Sequence, residues 1–151
     1  MLHISPRYRP LRVLCVEEEL LQRKLLEACF DVAGIESVFA SHANQALWLF
    51  RRFPVDMVFL DFDEHSNEEL AAFRVMRDMR PRGRRVPILA VTNNDCRWSE
   101  DAYREAGFVG LFEKPIEPSR LFRTMDDVLR ETGQPPLLEP TVFSPHASHF
   151  A

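Results

Sequence analysis

Four short runs of apolar residues each end on a group capable of chemistry. Val13-Leu14-Cys15-Val16 runs into Glu17, Met57-Val58-Phe59-Leu60 into Asp61, Ile88-Leu89-Ala90-Val91 into Thr92, and Leu111-Phe112 into Glu113-Lys114-Pro115. An apolar run without polar alternation marks a strand covered on both faces, and such strands belong to parallel sheets sheathed by helices. If the four run parallel in one sheet, their C-terminal ends gather two kinds of acid, a hydroxyl and an amine in one crevice. Open α/β sheets bind their ligands at that edge.

The segments between these runs read as helices. Over 18–33 apolar residues recur at Leu21, Leu25, Ala28, Cys29 and Val32, which predicts a helix with that stripe on the core, capped by Gly34. Ser37 to Ala40 is a weaker strand, followed by a helix over 44–53 that Pro54 stops. A helix capped by Asn67 runs through Leu70, Phe73, Met76 and Met79; another starts at Ser99-Glu100-Asp101 and ends near Gly107. The last, over 119–130, carries Leu121, Phe122, Met125, Val128 and Leu129 on one face. Five strands alternating with five helices over short connections predict a doubly wound five-stranded parallel α/β sheet, since right-handed crossovers leave few alternatives. The expected organisation is an N-terminal tail over 1–10, one domain over 11–132, and a Pro-rich tail over 133–151 that is flexible or extended.

A chain of 151 residues holds one such domain, so one crevice carries the function. The net charge of -4 argues against a nucleic-acid partner, and the Arg-rich stretch Arg80-Pro81-Arg82-Gly83-Arg84-Arg85 reads as a solvated loop. Three cysteines without CxxC spacing read as reduced thiols. No run approaches a membrane span and the start lacks the apolar stretch of a secretory signal, so a cytoplasmic location is expected.

At the crevice, Asp61 is placed to act as a nucleophile toward phosphorus or as a metal ligand. Glu17 and Glu18 crowd it with negative charge that calls for a cation, most simply Mg²⁺ with its oxygen ligands. Thr92 and Lys114 are a hydroxyl and a point charge suited to a phosphoryl group's oxygens. Together these groups make a centre for aspartyl phosphorylation.

That set resembles the receiver domain of two-component response regulators over about 11–132. Receivers carry an acidic pair after the first strand, a phosphoacceptor Asp after the third, a Ser/Thr after the fourth and a Lys-Pro after the fifth. Glu17-Glu18, Asp61, Thr92 and Lys114-Pro115 stand at the matching places, and Glu105-Ala106-Gly107 precedes the last strand as in the family. The resemblance implies a flavodoxin-like (βα)5 fold with strand order 2-1-3-4-5 and a cis Lys114-Pro115 peptide. It implies phosphoryl transfer to Asp61 from a histidine kinase or a histidine phosphotransfer protein. Mg²⁺ would be held by Glu17, Glu18, Asp61 and the backbone carbonyl of Asp63, with Thr92 and Lys114 on the phosphoryl oxygens. The chain would then be a single-domain signalling protein, not an enzyme beyond catalysing its own phosphorylation and dephosphorylation. Its downstream partner would meet the face of the fourth helix, fifth strand and fifth helix, and a homodimer stays open.

Several positions depart from the family. Glu18 stands where Asp is usual, and the longer side chain predicts weakened Mg²⁺ affinity. Asn93 follows Thr92 where a small residue is usual, and narrows access to the acceptor. Leu111 occupies the place of an aromatic switch and has no ring to rotate, while the loop Phe62-Asp63-Glu64-His65 lacks the family's Met-Pro turn. Trp98 and Tyr103 suit either a partner surface or packing. These departures motivate an alternative, a receiver-like binding module that works without phosphorylation. A remoter alternative is a haloacid-dehalogenase-type phosphatase, because Asp61-Phe62-Asp63 resembles its DxD motif, though that motif belongs on a first strand.

Overall fold

The computed structural model describes residues 3–7, 9–62, 67–93 and 98–139. Five strands alternate with five helices: β1 (Arg12–Val16), α1 (Leu20–Val32), β2 (Glu36–Ala40), α2 (Ala43–Arg52), β3 (Met57–Asp61), α3 (Asn67–Asp78), β4 (Ile88–Thr92), α4 (Glu100–Ala106), β5 (Gly110–Glu113) and α5 (Pro118–Glu131). All pairings are parallel, as the sequence pattern predicts, and the strand order is β2-β1-β3-β4-β5, as the resemblance implies. Register aligns the strand ends: Val16 lies beside Leu60, Asp61 beside Val91, and Thr92 beside Glu113. The chemistry-bearing residues therefore emerge at one edge.

Each face of the sheet has its own core. On one, Val13, Cys15, Met57, Phe59, Leu89, Val91 and Phe112 meet α1 and α5 through Leu26, Phe30, Leu121, Met125 and Leu129. On the other, Leu14, Val16, Val58, Leu60, Ala90 and Leu111 meet α2, α3 and α4 through Ala46, Phe50, Phe73, Met76 and Tyr103. The alternation within each strand, period two, sorts neighbours onto opposite faces. Cys15 is buried, and burial pushes its thiol well above the usual range. Phe59 is 1% exposed and stands 6.0 Å, centroid to centroid, from both Phe30 and Phe112, so it ties α1 to β5 through the central sheet.

The caps follow the sequence at both ends of α4, whereas Asn67, expected as a cap, is itself the first residue of α3. Ser99 Oγ accepts from the Ala102 N–H at 3.1 Å, and α4 stops at Gly107, whose φ of 116° lies in the left-handed region. A side chain there would be strained and would meet Arg77 Cδ at 2.5 Å. The Arg-rich stretch forms a 3-10 turn (Pro81–Gly83) between α3 and β4, with Arg82 reaching back to the Val55 carbonyl at 3.2 Å.

One expected face is reversed. The sequence predicts that Leu21, Leu25, Ala28 and Val32 of α1 meet the core, but Leu26 and Phe30 do so. Leu21 is 73%, Leu25 46% and Val32 90% exposed. Both stripes satisfy the helical period, and the crossover geometry selects the one with the aromatic ring that reaches Phe59. The helix also begins at Leu20 rather than Glu18, leaving the acidic residues in the preceding turn.

The described part of the C-terminal stretch, up to Glu139, is docked rather than extended. Leu137 is wholly buried and Leu138 is 9% exposed, in the α1–α5 core. Asp126 of α5 accepts from the backbone N–H groups of both Leu137 and Leu138 at 2.8 Å, and its other oxygen takes Arg130 at 2.7 Å. Ile4 forms an antiparallel bridge with Leu138, and Arg7 donates to the carbonyl of Pro135 at 2.8 Å, so the two terminal segments brace each other. Removing the Asp126 carboxylate leaves two buried N–H groups without acceptors, each costing about 1–3 kcal/mol. Asp126→Ala should therefore lose on the order of 2–4 kcal/mol in urea unfolding, with the Ser5 and Glu139 amides, which donate to the Leu137 and His3 carbonyls, losing protection from hydrogen exchange first.

Candidate functional site

Strand parity explains which side chains converge. Glu17 continues the β1 face of Val13 and Cys15, Asp61 the β3 face of Met57 and Phe59, and Lys114 the β5 face of Phe112. All three thus leave the sheet on one side. Lys114 Nζ lies 3.0 Å from Glu17 Oε2 and 3.1 Å from Asp61 Oδ2, donating to both carboxylates at once. Glu17 is 3% exposed, and one of its oxygens also accepts from the Glu19 N–H at 3.1 Å, which fixes the turn into α1.

Two carboxylates facing one ammonium leave an excess of negative charge. Burial first, and the Glu17 charge second, push the Asp61 carboxyl above its usual range, more than the Lys114 bond pulls it down. Burial works against the Lys114 charge, yet its bonds to Glu17 and Asp61 outweigh that and hold the ammonium above its usual value. The site is short of positive charge.

Thr92 completes the set from the opposite parity. Its side chain is buried, its Oγ1 has no hydrogen-bond partner among the described residues, and its carbonyl accepts from the Lys114 N–H at 2.9 Å. A buried hydroxyl without a partner costs free energy unless something else meets it, so this oxygen marks a place where an acceptor is wanted. The Lys114–Pro115 peptide is cis, and Pro115 is exposed.

Other expected positions are less engaged. Glu18 and Asn93 are exposed at the rim, and Asp63, Glu64 and His65 lie outside the described residues. Among the described residues no group of three or more His, Cys, Asp or Glu is placed to hold a metal ion. Glu17 and Asp61 nevertheless offer two convergent hard oxygens in a field of net negative charge, which fits a magnesium ion that keeps several waters. Leu111 is buried beside Ala90, on the face where Thr92 also stands.

The sequence did not single out Phe62. Directly after Asp61 its ring is buried, with centroids 5.2 Å from Trp98, 6.0 Å from Tyr103, 5.1 Å from Phe108 and 6.4 Å from Phe73. Tyr103 is wholly buried in this cluster, so it serves packing. No spacing signal marks this cluster, because its rings at 62, 73, 98, 103 and 108 come from separate elements that only the fold brings together. Asp61 is thereby joined through one covalent neighbour to the start of α4.

The folded protein binds the Asp61 proton more tightly than the unfolded chain does. Stability contributed by this group therefore falls as pH rises from the ordinary carboxylate range through the raised value, and stays lowered at neutral pH. Asp61→Asn should accordingly be more stable than the parent at pH 7, with the difference shrinking as pH falls below the ordinary aspartate range. Paired urea curves at the two pH values check this, and a destabilised variant at neutral pH would contradict it.

Comparisons with known proteins point the same way. The sequence matches the response regulator receiver domain family over residues 13–126. It is 26% identical to the polar-differentiation response regulator DivK of Brucella anthropi, over 80% of this chain and 97% of DivK. It is also 26% identical to the hybrid signal transduction protein dokA of Dictyostelium discoideum, covering 82% of this chain but only 7% of dokA. Among solved structures, the fold is similar to the receiver domain of the Pseudomonas aeruginosa sensor histidine kinase PA1611 with a magnesium ion in its active site cleft. That match has a TM-score of 0.66 and 24% identity, over 83% of this chain and 100% of the other. It is similar as well to the receiver domain of Saccharomyces cerevisiae Ssk1, solved with the histidine phosphotransfer protein Ypd1, at a TM-score of 0.68 and 17% identity, over 83% and 94% of the two chains. The dehalogenase alternative loses its context, because Asp61 ends the third strand and not the first. With the family matched across the sheet, both cores and the crevice, this chain belongs to the response regulator receiver domains.

Proposed function

We propose that this receiver accepts a phosphoryl group on Asp61 from a phosphohistidine, carried by a histidine kinase or a histidine phosphotransfer protein, and signals through protein contacts. The observation that carries the reading is the convergence of Asp61 and Glu17 on Lys114, with the unpartnered Thr92 hydroxyl beside them. An Asp61 oxygen attacks phosphorus, the P–N bond of the phosphohistidine breaks, and the imidazole leaves with the bonding pair and takes up a proton. Lys114 then exchanges a carboxylate partner for a phosphoryl oxygen, and the Thr92 hydroxyl gains an acceptor for its proton. A magnesium ion held by Glu17 and Asp61, with Glu18 and the Asp63 carbonyl as further oxygens, would supply positive charge to the incoming phosphoryl group. The Ypd1 complex of the similar Ssk1 receiver supports a phosphotransfer protein as donor. The face of α4, β5 and α5 is the proposed output surface, because Phe62 joins the acceptor strand to Trp98 and Tyr103 there. Among the described residues no helix is long and apolar enough to cross a membrane.

A second reading, binding without phosphorylation, is favoured by one observation: the position expected to carry a rotating ring is Leu111, 6% exposed and packed in the core.

Incubation with a small-molecule phosphodonor and magnesium should give a mass gain of one phosphoryl group on Asp61, absent from Asp61→Asn. Lys114→Ala should slow labelling at least about tenfold, as loss of a charge-stabilising donor does. No mass gain across donors and metals, together with a partner that binds the parent and Asp61→Asn equally, would favour the second reading.

A further inference from the structure

Outside α1, the large exposed apolar side chains among the described residues are Trp48, Phe53 and Val75, and the first two lie in the second half of α2 and at its C-cap. Trp48 is 51% exposed, with the Arg52 guanidinium 4.3 Å over its ring. Phe53 is 44% exposed and is followed by an exposed Pro54 on the way into β3. Three arginines from separate segments hold this connection. Arg12 donates to the Pro54 carbonyl at 3.4 Å, Arg82 to the Val55 carbonyl at 3.2 Å, and Arg9 pairs with Asp56 at 2.9 Å. The backbone over 54–56 is thus fixed, and the crest Phe53-Pro54 stays outside the core.

The charge around the crest is one-sided. No acidic residue occurs in α2. Asp56 is buried against Arg9 and Arg82, Glu36 is taken by Arg12 at 2.7 Å, and Asp78 by Arg77 at 3.0 Å. Arg51, Arg84 and Arg85 are exposed and make no hydrogen bond or ion pair among the described residues. Other acids at this end of the helices, Asp31, Glu105 and Glu131, belong to α1, α4 and α5. A chain of net charge -4 therefore keeps one uncompensated basic end. Strand β3 separates that end from Asp61 by roughly 16 Å, at about 3.3 Å per residue.

We propose that this end of the molecule docks on an anionic lipid surface, with Arg51, Arg52, Arg84 and Arg85 on the headgroups and Trp48 and Phe53 in the interfacial layer. Arginines beside exposed aromatic rings suit a surface that lies on a membrane. The rings leave water for the headgroup boundary, and the guanidinium groups meet anionic lipids. The cleft lined by Asp56, Arg82, Arg84 and Arg85 has a volume of about 10 Å³, room for one water, so these arginines do not enclose a small anion of their own. They stand instead on two segments beside the Phe53 crest, where diffusing headgroups reach each one separately. Docking in this orientation turns the Asp61 crevice toward water, so the inference is independent of phosphorylation.

Phosphatidylcholine vesicles containing about 40% phosphatidylserine should sediment the full chain at about 50 mM salt and release it at about 500 mM, where screening is stronger. Vesicles of phosphatidylcholine alone should not bind it. Arg84→Glu/Arg85→Glu should weaken binding at least about tenfold and Phe53→Ser about fivefold. Circular dichroism should be unchanged in both, since these side chains are exposed. The same charge change placed across the sheet, Lys24→Glu/Arg123→Glu, should alter binding less than about threefold. Trp48 emission should shift to the blue on the anionic vesicles, and Trp48→Phe should remove that shift. Absence of binding at low salt would overturn the proposal, and so would equal losses from the two double exchanges, which would reduce the effect to net charge. It would also fall if Phe53→Ser and the Trp48 emission were both indifferent while polyglutamate displaced the chain, since the arginines would then serve an acidic protein.

Discussion

The sheet is covered on both faces, and this constraint organises the rest of the molecule. A strand such as Met57-Val58-Phe59-Leu60 has no solvent side on which to place a polar residue, so every functional group must wait until the strand leaves its cover. Glu17, Asp61, Thr92 and Lys114 sit one step beyond or at the last position of four strands for that reason. Parallel registration then does what sequence proximity cannot: it brings residues 17 and 61 to the single ammonium of Lys114. The crevice is a consequence of how the core closes.

That closure is also why so much of the site is legible in the sequence. Continuous apolar runs announce buried strands, and the residue after each run is a candidate for chemistry, so Asp61, Thr92 and Lys114 can be picked out without a structure. What spacing does not give is the number of groups meeting at one atom. Lys114 binding Glu17 and Asp61 together, and Thr92 with an unmet hydroxyl, depend on strand stagger of a few ångströms. Glu17 and Glu18 look equivalent on paper, yet parity buries one and leaves the other exposed at the rim.

Helix faces are less legible, and α1 shows the reason. A helix with apolar residues at 21, 25, 28 and 32 and again at 26 and 30 has two stripes of similar quality, and periodicity alone cannot rank them. Tertiary contact decides, through the ring of Phe30 against Phe59. The described start of the C-terminal stretch, up to Glu139, misleads for a different cause. Prolines at 135 and 136 read as an extended linker, but Asp126 supplies two hydrogen bonds to the chain that follows and the Leu137 side chain enters the core.

The aromatic cluster around Phe62 bears on how a change at Asp61 could travel. Receivers that use a ring on the fifth strand couple the acceptor to their output face through the hydroxyl residue on the fourth. Here that strand carries Leu111, and the rings lie instead along a line from Phe62 to Trp98 and Tyr103. A packed cluster of this kind is not continuously deformable: displacing one ring requires its neighbours to reorder together. Phe62 is bonded to Asp61 and its N–H donates to the Val91 carbonyl, so any shift of the Asp61 backbone is felt by both β4 and α4. Loss of the usual ring therefore does not remove the physical link between crevice and α4; it relocates that link from the fifth strand to the residue beside Asp61.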